Sequence, residues 1–230
     1  MSTIVLVHGE FSESAAWRRV LDPLAAAGHR TIAAANPLRG LAADAGTVSD
    51  LVGSIDGPIV LVGHAYGGAV ITNVDRGDVV GLVYVAAFAP DAGESCFALA
   101  DGLALADTLE AVLRADETTD LTIAPAHFHL HVAADLPAAE AMRMAATQRP
   151  ITRAALLEPS GPRPLWRAVP SWFLIAGEDR VIPAASQRAM AERAGARGVV
   201  ELPGASRAVP VAQPRATAEL ILEAVRQAGR

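Results

Sequence analysis

The chain contains no lysine, and its one cysteine is Cys96; all nineteen basic residues are arginine. Twenty-five acidic residues outnumber them, giving a net charge of -6 and a pI near 5.5. That balance argues against a nucleic-acid backbone or an anionic membrane surface as the main partner. A lone cysteine excludes an internal disulfide and fits a reducing compartment. As a nucleophile, Cys96 would need a neighbouring base and a lowered pKa; neither is visible, so a buried bystander thiol is expected. No run approaches the roughly 20 apolar residues that cross a bilayer. The first residues enter an apolar strand directly, without a basic stretch, a long hydrophobic segment and a cleavage site, so a cytoplasmic location is expected.

Apolar material, by contrast, is plentiful. Hydrophobic residues make up 52% of the 230 and charged residues 19%, enough for one buried core with a modest insertion. Short β-rich runs at Thr3–Val7, Arg30–Ala34, Ile59–Val62, Val79–Val85, Trp172–Ala176 and Val199–Leu202 are nearly continuous in apolar residues, as strands buried on both faces are. Helical patterns at Ser14–Ala27, Gly67–Val74, Ala184–Ala194 and Pro214–Gln227 fall between or after them. The expected class is α/β: a mainly parallel six-stranded sheet with helices on both faces. The interval 89–169 is too long for an ordinary crossover. With helical patterns at Ala98–Ala115 and Pro137–Ala146, it is read as an inserted helical lid on a core of 1–88 and 170–230.

Four strand ends carry the chemistry. The first run leads into His8-Gly9-Glu10-Phe11, the third into Gly63-His64-Ala65-Tyr66-Gly67-Gly68, the fifth into Gly177-Glu178-Asp179 and the sixth into Gly204-Ala205-Ser206-Arg207. In order and spacing these loops resemble the active-site loops of the α/β-hydrolase superfamily, above all its small bacterial esterase-like members. The resemblance covers nearly the whole chain and is weakest in the insertion. It implies a Gly-x-Ser-x-Gly turn that presses a nucleophile into a pocket, an acid after the fifth strand and a histidine base after the sixth. Asp179 matches the acid. At the nucleophile position stands Ala65, whose methyl group cannot attack a carbonyl, and at the base position Arg207, whose guanidinium has no lone pair to take a proton. No histidine follows His131, so the triad is degenerate and hydrolysis through an acyl-enzyme is excluded.

The resemblance also implies backbone oxyanion donors, here Tyr66 N–H and that of Phe11 or Glu10. Each is worth about 2.7–4 kcal/mol toward a developing negative charge on oxygen. Glu10 is itself a departure, since a small or apolar residue is usual there. In an enclosed pocket it serves as general acid or base; the bland reading is a pair with Arg207 or exposure to solvent. Arg207 likewise either salt-bridges Asp179 or clamps an anionic oxygen of a ligand. His127, His129 and His131 would share one face of an extended segment, but no fourth ligand accompanies them and no metal is expected. A lid histidine facing the pocket, with His129 the choice, is assigned acid–base work beside Glu10, Asp179 and Arg207. Phe11, Tyr66, His64, His127 and His131 are expected to line the pocket.

Three functional readings follow. The first is a cofactor-independent cyclase, isomerase or lyase acting on a small biosynthetic intermediate. The second is a protein that binds a small molecule without converting it. The third is an esterase-like hydrolase inactivated by Ser-to-Ala replacement; Arg207 argues against it, because one change would have sufficed.

Overall fold

The computed structural model describes residues 2–75, 77–100 and 106–228. Strand β1 (Thr3–Val7) is followed by helix α1 (Arg18–Ala26), β2 (Arg30–Ala34), α2 (Leu41–Gly53), β3 (Ile59–His64), α3 (Tyr66–Thr72) and β4 (Val79–Val85). The insertion carries α4 (Cys96–Leu99), β5 (Leu109–Leu113), β6 (Thr119–Ile123), α5 (Pro125–Val132), α6 (Ala138–Thr147), β7 (Ile151–Thr152) and α7 (Arg153–Leu157). The core resumes with β8 (Ser171–Ala176), α8 (Ala184–Arg193), β9 (Gly198–Leu202), α9 (Val209–Ala212) and α10 (Pro214–Ala228).

Six strands form one parallel sheet in the order β2-β1-β3-β4-β8-β9. Successive side chains of β1 point to opposite faces: Val5 and Val7 join the core under α2 and α3, Ile4 and Leu6 the core under α1 and α10. All four are fully buried, each worth roughly 1.5–3 kcal/mol of transfer free energy. The expected central strands are observed within two residues at each end. The final helix buries Leu220, Ile221 and Val225 as its spacing predicts. Helix α2 was not anticipated, although Leu41, Ala45, Val48 and Val52 form a helical stripe of buried residues.

The insertion departs from the expected all-helical lid. Part of the Ala98–Ala115 pattern, residues 101–105, lies outside the described residues, and its end is strand β5, in the antiparallel sheet β5-β6-β7. Leu109–Leu113 pairs with Thr119–Ile123 around a turn closed by Arg114 N–H donating to Thr118 O at 2.8 Å. Glu117 adopts a positive φ of 64° there. Pairing with a β-branched partner strand has overridden the helix preference of Leu, Glu and Ala. The little sheet is tied to the core by Asp120, buried on β6, which receives Arg39 Nη1 at 2.6 Å.

The strand order reverses at β1, which has β2 on one side and β3 on the other. Loops leaving such a switch point diverge and leave a crevice at the carboxyl end of the sheet. The loop after β1 and the turn after β3 lie there.

Candidate functional site

The turn between β3 and α3 is built by glycines. A Cβ on Gly67 would stand 2.3 Å from Val7 O, one on Gly63 2.5 Å from Gly67 O, and one on Gly68 2.3 Å from Phe88 O. Strand and helix therefore approach as closely as backbone allows. At the apex Ala65 takes φ 58°, ψ −125°, a conformation an L-residue reaches only when its surroundings enforce it. The methyl group is fully buried.

Around Ala65 three charged residues converge inside the protein. Glu10 is 2% exposed, Arg207 1% and Asp179 7%. Glu10 Oε2 accepts the Tyr66 N–H at 2.7 Å, and Glu10 Oε1 accepts from Arg207 Nη2. Among the described residues Arg207 Nη1 makes no hydrogen bond, and it stands 3.8 Å from Asp179 Oδ1. Asp179 is held by other donors: Oδ1 accepts the Val181 and Ile182 N–H groups at 2.8 and 2.9 Å, and Oδ2 accepts Gln187 Nε2 at 3.1 Å. Burial pushes the Asp179 carboxyl up to about 6 despite Arg207 and these donors. Of the two expected partners of Arg207, the close one is Glu10 rather than Asp179.

The two flanking histidines are neutral structural members. His64 Nε2 donates to Arg207 O at 2.9 Å, fixing the backbone of the loop that carries the guanidinium. Burial, with Arg207 beside it, lowers its pKa to about 3. His8 Nε2 accepts the Asn36 N–H at 3.3 Å, which leaves its proton on Nδ1 to meet Gly9 O at 3.0 Å. Behind the turn, the Tyr66 hydroxyl donates to buried Asp44 at 2.8 Å. Phe11, next to Glu10, is buried with φ 56°. Cys96 is buried, and burial pushes its thiol well above the usual range, in keeping with a bystander.

The lid histidines do not meet the expectation placed on them. His127, His129 and His131 lie on helix α5, where a spacing of two turns side chains to different faces. Rings 127 and 131 pair at 6.2 Å on one side, while His129 Nε2 donates to Leu136 O at 2.9 Å within the insertion. Among the described residues no hydrogen bond or ion pair joins His129 to Glu10, Ala65 or Arg207. What the insertion does bring to the site is the end of α5. Val132 O accepts both Ala208 N–H and Ser206 Oγ, and Asp135 accepts from Ser206, so the β9–α9 loop is clamped over the sheet edge. That clamp was not visible in the sequence, because Asp135 carries no motif.

A cleft among the described residues lies outside this cluster. It has a volume of about 260 Å³ and opens between α1 and α6, bounded by Phe11, Ser12, Ala16, Arg18, Arg143 and Met144. None of Glu10, Ala65, Asp179 and Arg207 lines it.

A model described as the alpha/beta hydrolase family matches residues 4–220. The chain belongs to that family. A carbendazim hydrolyzing esterase of Nocardioides sp. (strain SG-4G) is 35% identical over 114 residues, 43% of this chain and 47% of that protein. The match thus spans about half the length of that relative. The structure of a pyrethroid hydrolase superposes with a TM-score of 0.81 at 21% identity, covering 100% of both chains. That of tomato methylketone synthase I complexed with 2-tridecanone does so with 0.79 at 18%, covering 98% of each. At these identities the solved structures share the fold, which is the sheet, turn and strand-end arrangement described above.

Proposed function

We propose that this hydrolase-family chain is a non-hydrolytic small-molecule-binding protein whose catalytic triad is degenerate. The observation that carries the proposal is the position of the Glu10 carboxylate. It takes the Tyr66 N–H, the donor that would hold the oxyanion of an ester intermediate, and it neutralises the residue that stands in place of the base. An ester carbonyl would find neither an attacking oxygen at Ala65 nor a free donor at Tyr66. Cyclase, isomerase or lyase chemistry that stabilises an oxyanion at the same donor would require Glu10 to leave first, so binding without conversion is the better-supported reading. Relatives bearing the names of a carbendazim hydrolyzing esterase and a pyrethroid hydrolase support a small organic molecule as the ligand class. A cleft lined by Phe11, Arg18 and Arg143 adjoins the loop that carries Glu10.

The test is hydrolysis of p-nitrophenyl acetate and labelling by a fluorophosphonate. The unmodified chain is expected to be inert in both, and to remain inert as Ala65→Ser with Arg207→His, since Glu10 still fills the donor. Adding Glu10→Ala to that pair is expected to bring labelling at position 65. Labelling of the unmodified chain, or fast hydrolysis by Ala65→Ser alone, would overturn the proposal.

A further inference from the structure

We infer that Arg207 Nη2 and the Tyr66 N–H together form a receptor for a small carboxylate, and that Glu10 is its resident, internal ligand. The inference deepens the non-hydrolytic reading by giving the buried site a ligand chemistry, and it rests on the same occupied turn.

A carboxylate is already seated there, with one oxygen on the guanidinium and the other on the backbone donor. Charge-assisted pairs of this kind are the strong hydrogen bonds of proteins, and a planar fork of N–H groups fits a carboxylate better than any other side chain does. The receptor is preorganised by parts that do not depend on Glu10. Tyr66 N–H is aimed by the glycine-packed turn and by the Tyr66 hydroxyl on Asp44. Arg207 is aimed by its carbonyl on His64 and by the Ser206 clamp on α5. Arg207 Nη1, buried and without a hydrogen bond among the described residues, leaves donor capacity beyond what Glu10 uses. A buried guanidinium that loses its hydrogen-bonded anion and keeps only Asp179 at 3.8 Å is costly, which supplies the drive to rebind one.

Cutting the Glu10 side chain back to Cβ removes a –CH₂–COO⁻ unit and vacates its space. Formate fits that space with room for the missing covalent bond, acetate fits tightly, and butyrate is too long. The ligand class is therefore a small monocarboxylate with its head on Arg207 and Tyr66.

The experiment is thermal unfolding of Glu10→Ala in sodium formate, acetate, butyrate and chloride at matched ionic strength. With a dissociation constant on the order of 10 mM, 100 mM formate is expected to raise the melting temperature of the variant by about 3–5 °C over chloride. Acetate should do so by less and butyrate not at all, and the unmodified chain should show no difference among the salts. Should Glu10→Ala not fold alone, the yield on refolding into formate against chloride reads the same property. Glu10→Ala with Arg207→Ala is expected to lose the response. An equal response to chloride and formate, a formate response in the unmodified chain, or one that survives Arg207→Ala would overturn the assignment. Ester hydrolysis by the unmodified chain would sink the non-hydrolytic reading while leaving this rescue intact, so the two failures are distinguishable.

Discussion

Two loops at the same edge of the sheet have been treated in opposite ways. The turn after β3 keeps a demanding backbone, with a strained Ala65 and three glycines that admit no side chain, yet it offers no reacting atom. The loop after β9 has an ordinary backbone, and its side chains do the work: Arg207 reaches Glu10, and Ser206 ties the loop to α5 and Asp135. Backbone shape at one loop and side-chain pairing at the other now serve a common purpose, which is to close the strand-end crevice around a buried carboxylate. A turn of this shape is held by the packing of β3 against α3, so it stands with only a methyl group at its apex. A buried arginine, in contrast, depends on its partner.

The largest effect should therefore come from the pair. Glu10→Ala leaves the guanidinium buried without its hydrogen-bonded anion, with only Asp179 3.8 Å away, and urea unfolding is expected to show a loss of about 3 kcal/mol. Replacing both residues with methionine should recover about 2 kcal/mol of that, because the guanidinium is then gone and Asp179 keeps the Val181, Ile182 and Gln187 donors that hold it. If the double variant is as unstable as the single losses added together, the two side chains are not coupled. Next comes the turn: Gly67→Ala forces a Cβ against Val7 O at 2.3 Å, where only backbone can yield, and about 1–3 kcal/mol should be lost. An unchanged stability would mean that α3 can move away from the end of β1 and that the turn is not rigid.

How much of this was legible beforehand follows the same division. The strands of the main sheet and the four strand-end loops could be placed because buried parallel strands read as apolar runs and the glycine frame of the turn has a fixed spacing. Asp179 and Arg207 fell out of that frame, and so did Ala65. The choice between the two readings of Glu10 could not be made, since it depends on where a flexible side chain turns after a loop with φ 56° at Phe11. The insertion was misread where alanine and leucine suggested helix and cross-strand pairing made β5. The choice of His129 as the pocket-facing lid histidine rested on composition alone, and on helix α5 its ring turns to Leu136 O instead. Ser206 passed unnoticed, although a serine beside a buried arginine is a reasonable anchor. Ser206→Ala removes a hydroxyl whose one proton is shared between Val132 O and Asp135 Oδ1 and whose oxygen accepts from Ala208 N–H, and it should cost about 1 kcal/mol in urea unfolding. A larger loss would show that the clamp also holds Arg207 in place.

The smallest change is expected from pH, because the site contains groups that work against one another. His64 is held neutral down to about 3, so between its ordinary 6.5 and that value the unfolded chain binds a proton that the folded chain does not. Stability from this source is present above 6.5 and falls with pH. Asp179 is raised to about 6 from 3.8, so over that interval the folded chain binds the extra proton, and stability from this source rises as pH falls. Each proton contributes a slope of about 1.4 kcal/mol per pH unit, with opposite signs. His8, lowered by burial, adds to the first trend, and Asp44, raised by burial, to the second. Between about pH 4 and 6 the unmodified chain should therefore show a nearly flat urea-unfolding profile. Asp179→Asn removes one side of the balance and should lose stability on acidification more steeply than the unmodified chain, whereas His64→Gln should do the reverse. Parallel profiles for all three would mean that neither group titrates as its burial demands. The tight packing of Ala65, Glu10 and Arg207 would then have to give way to water in solution.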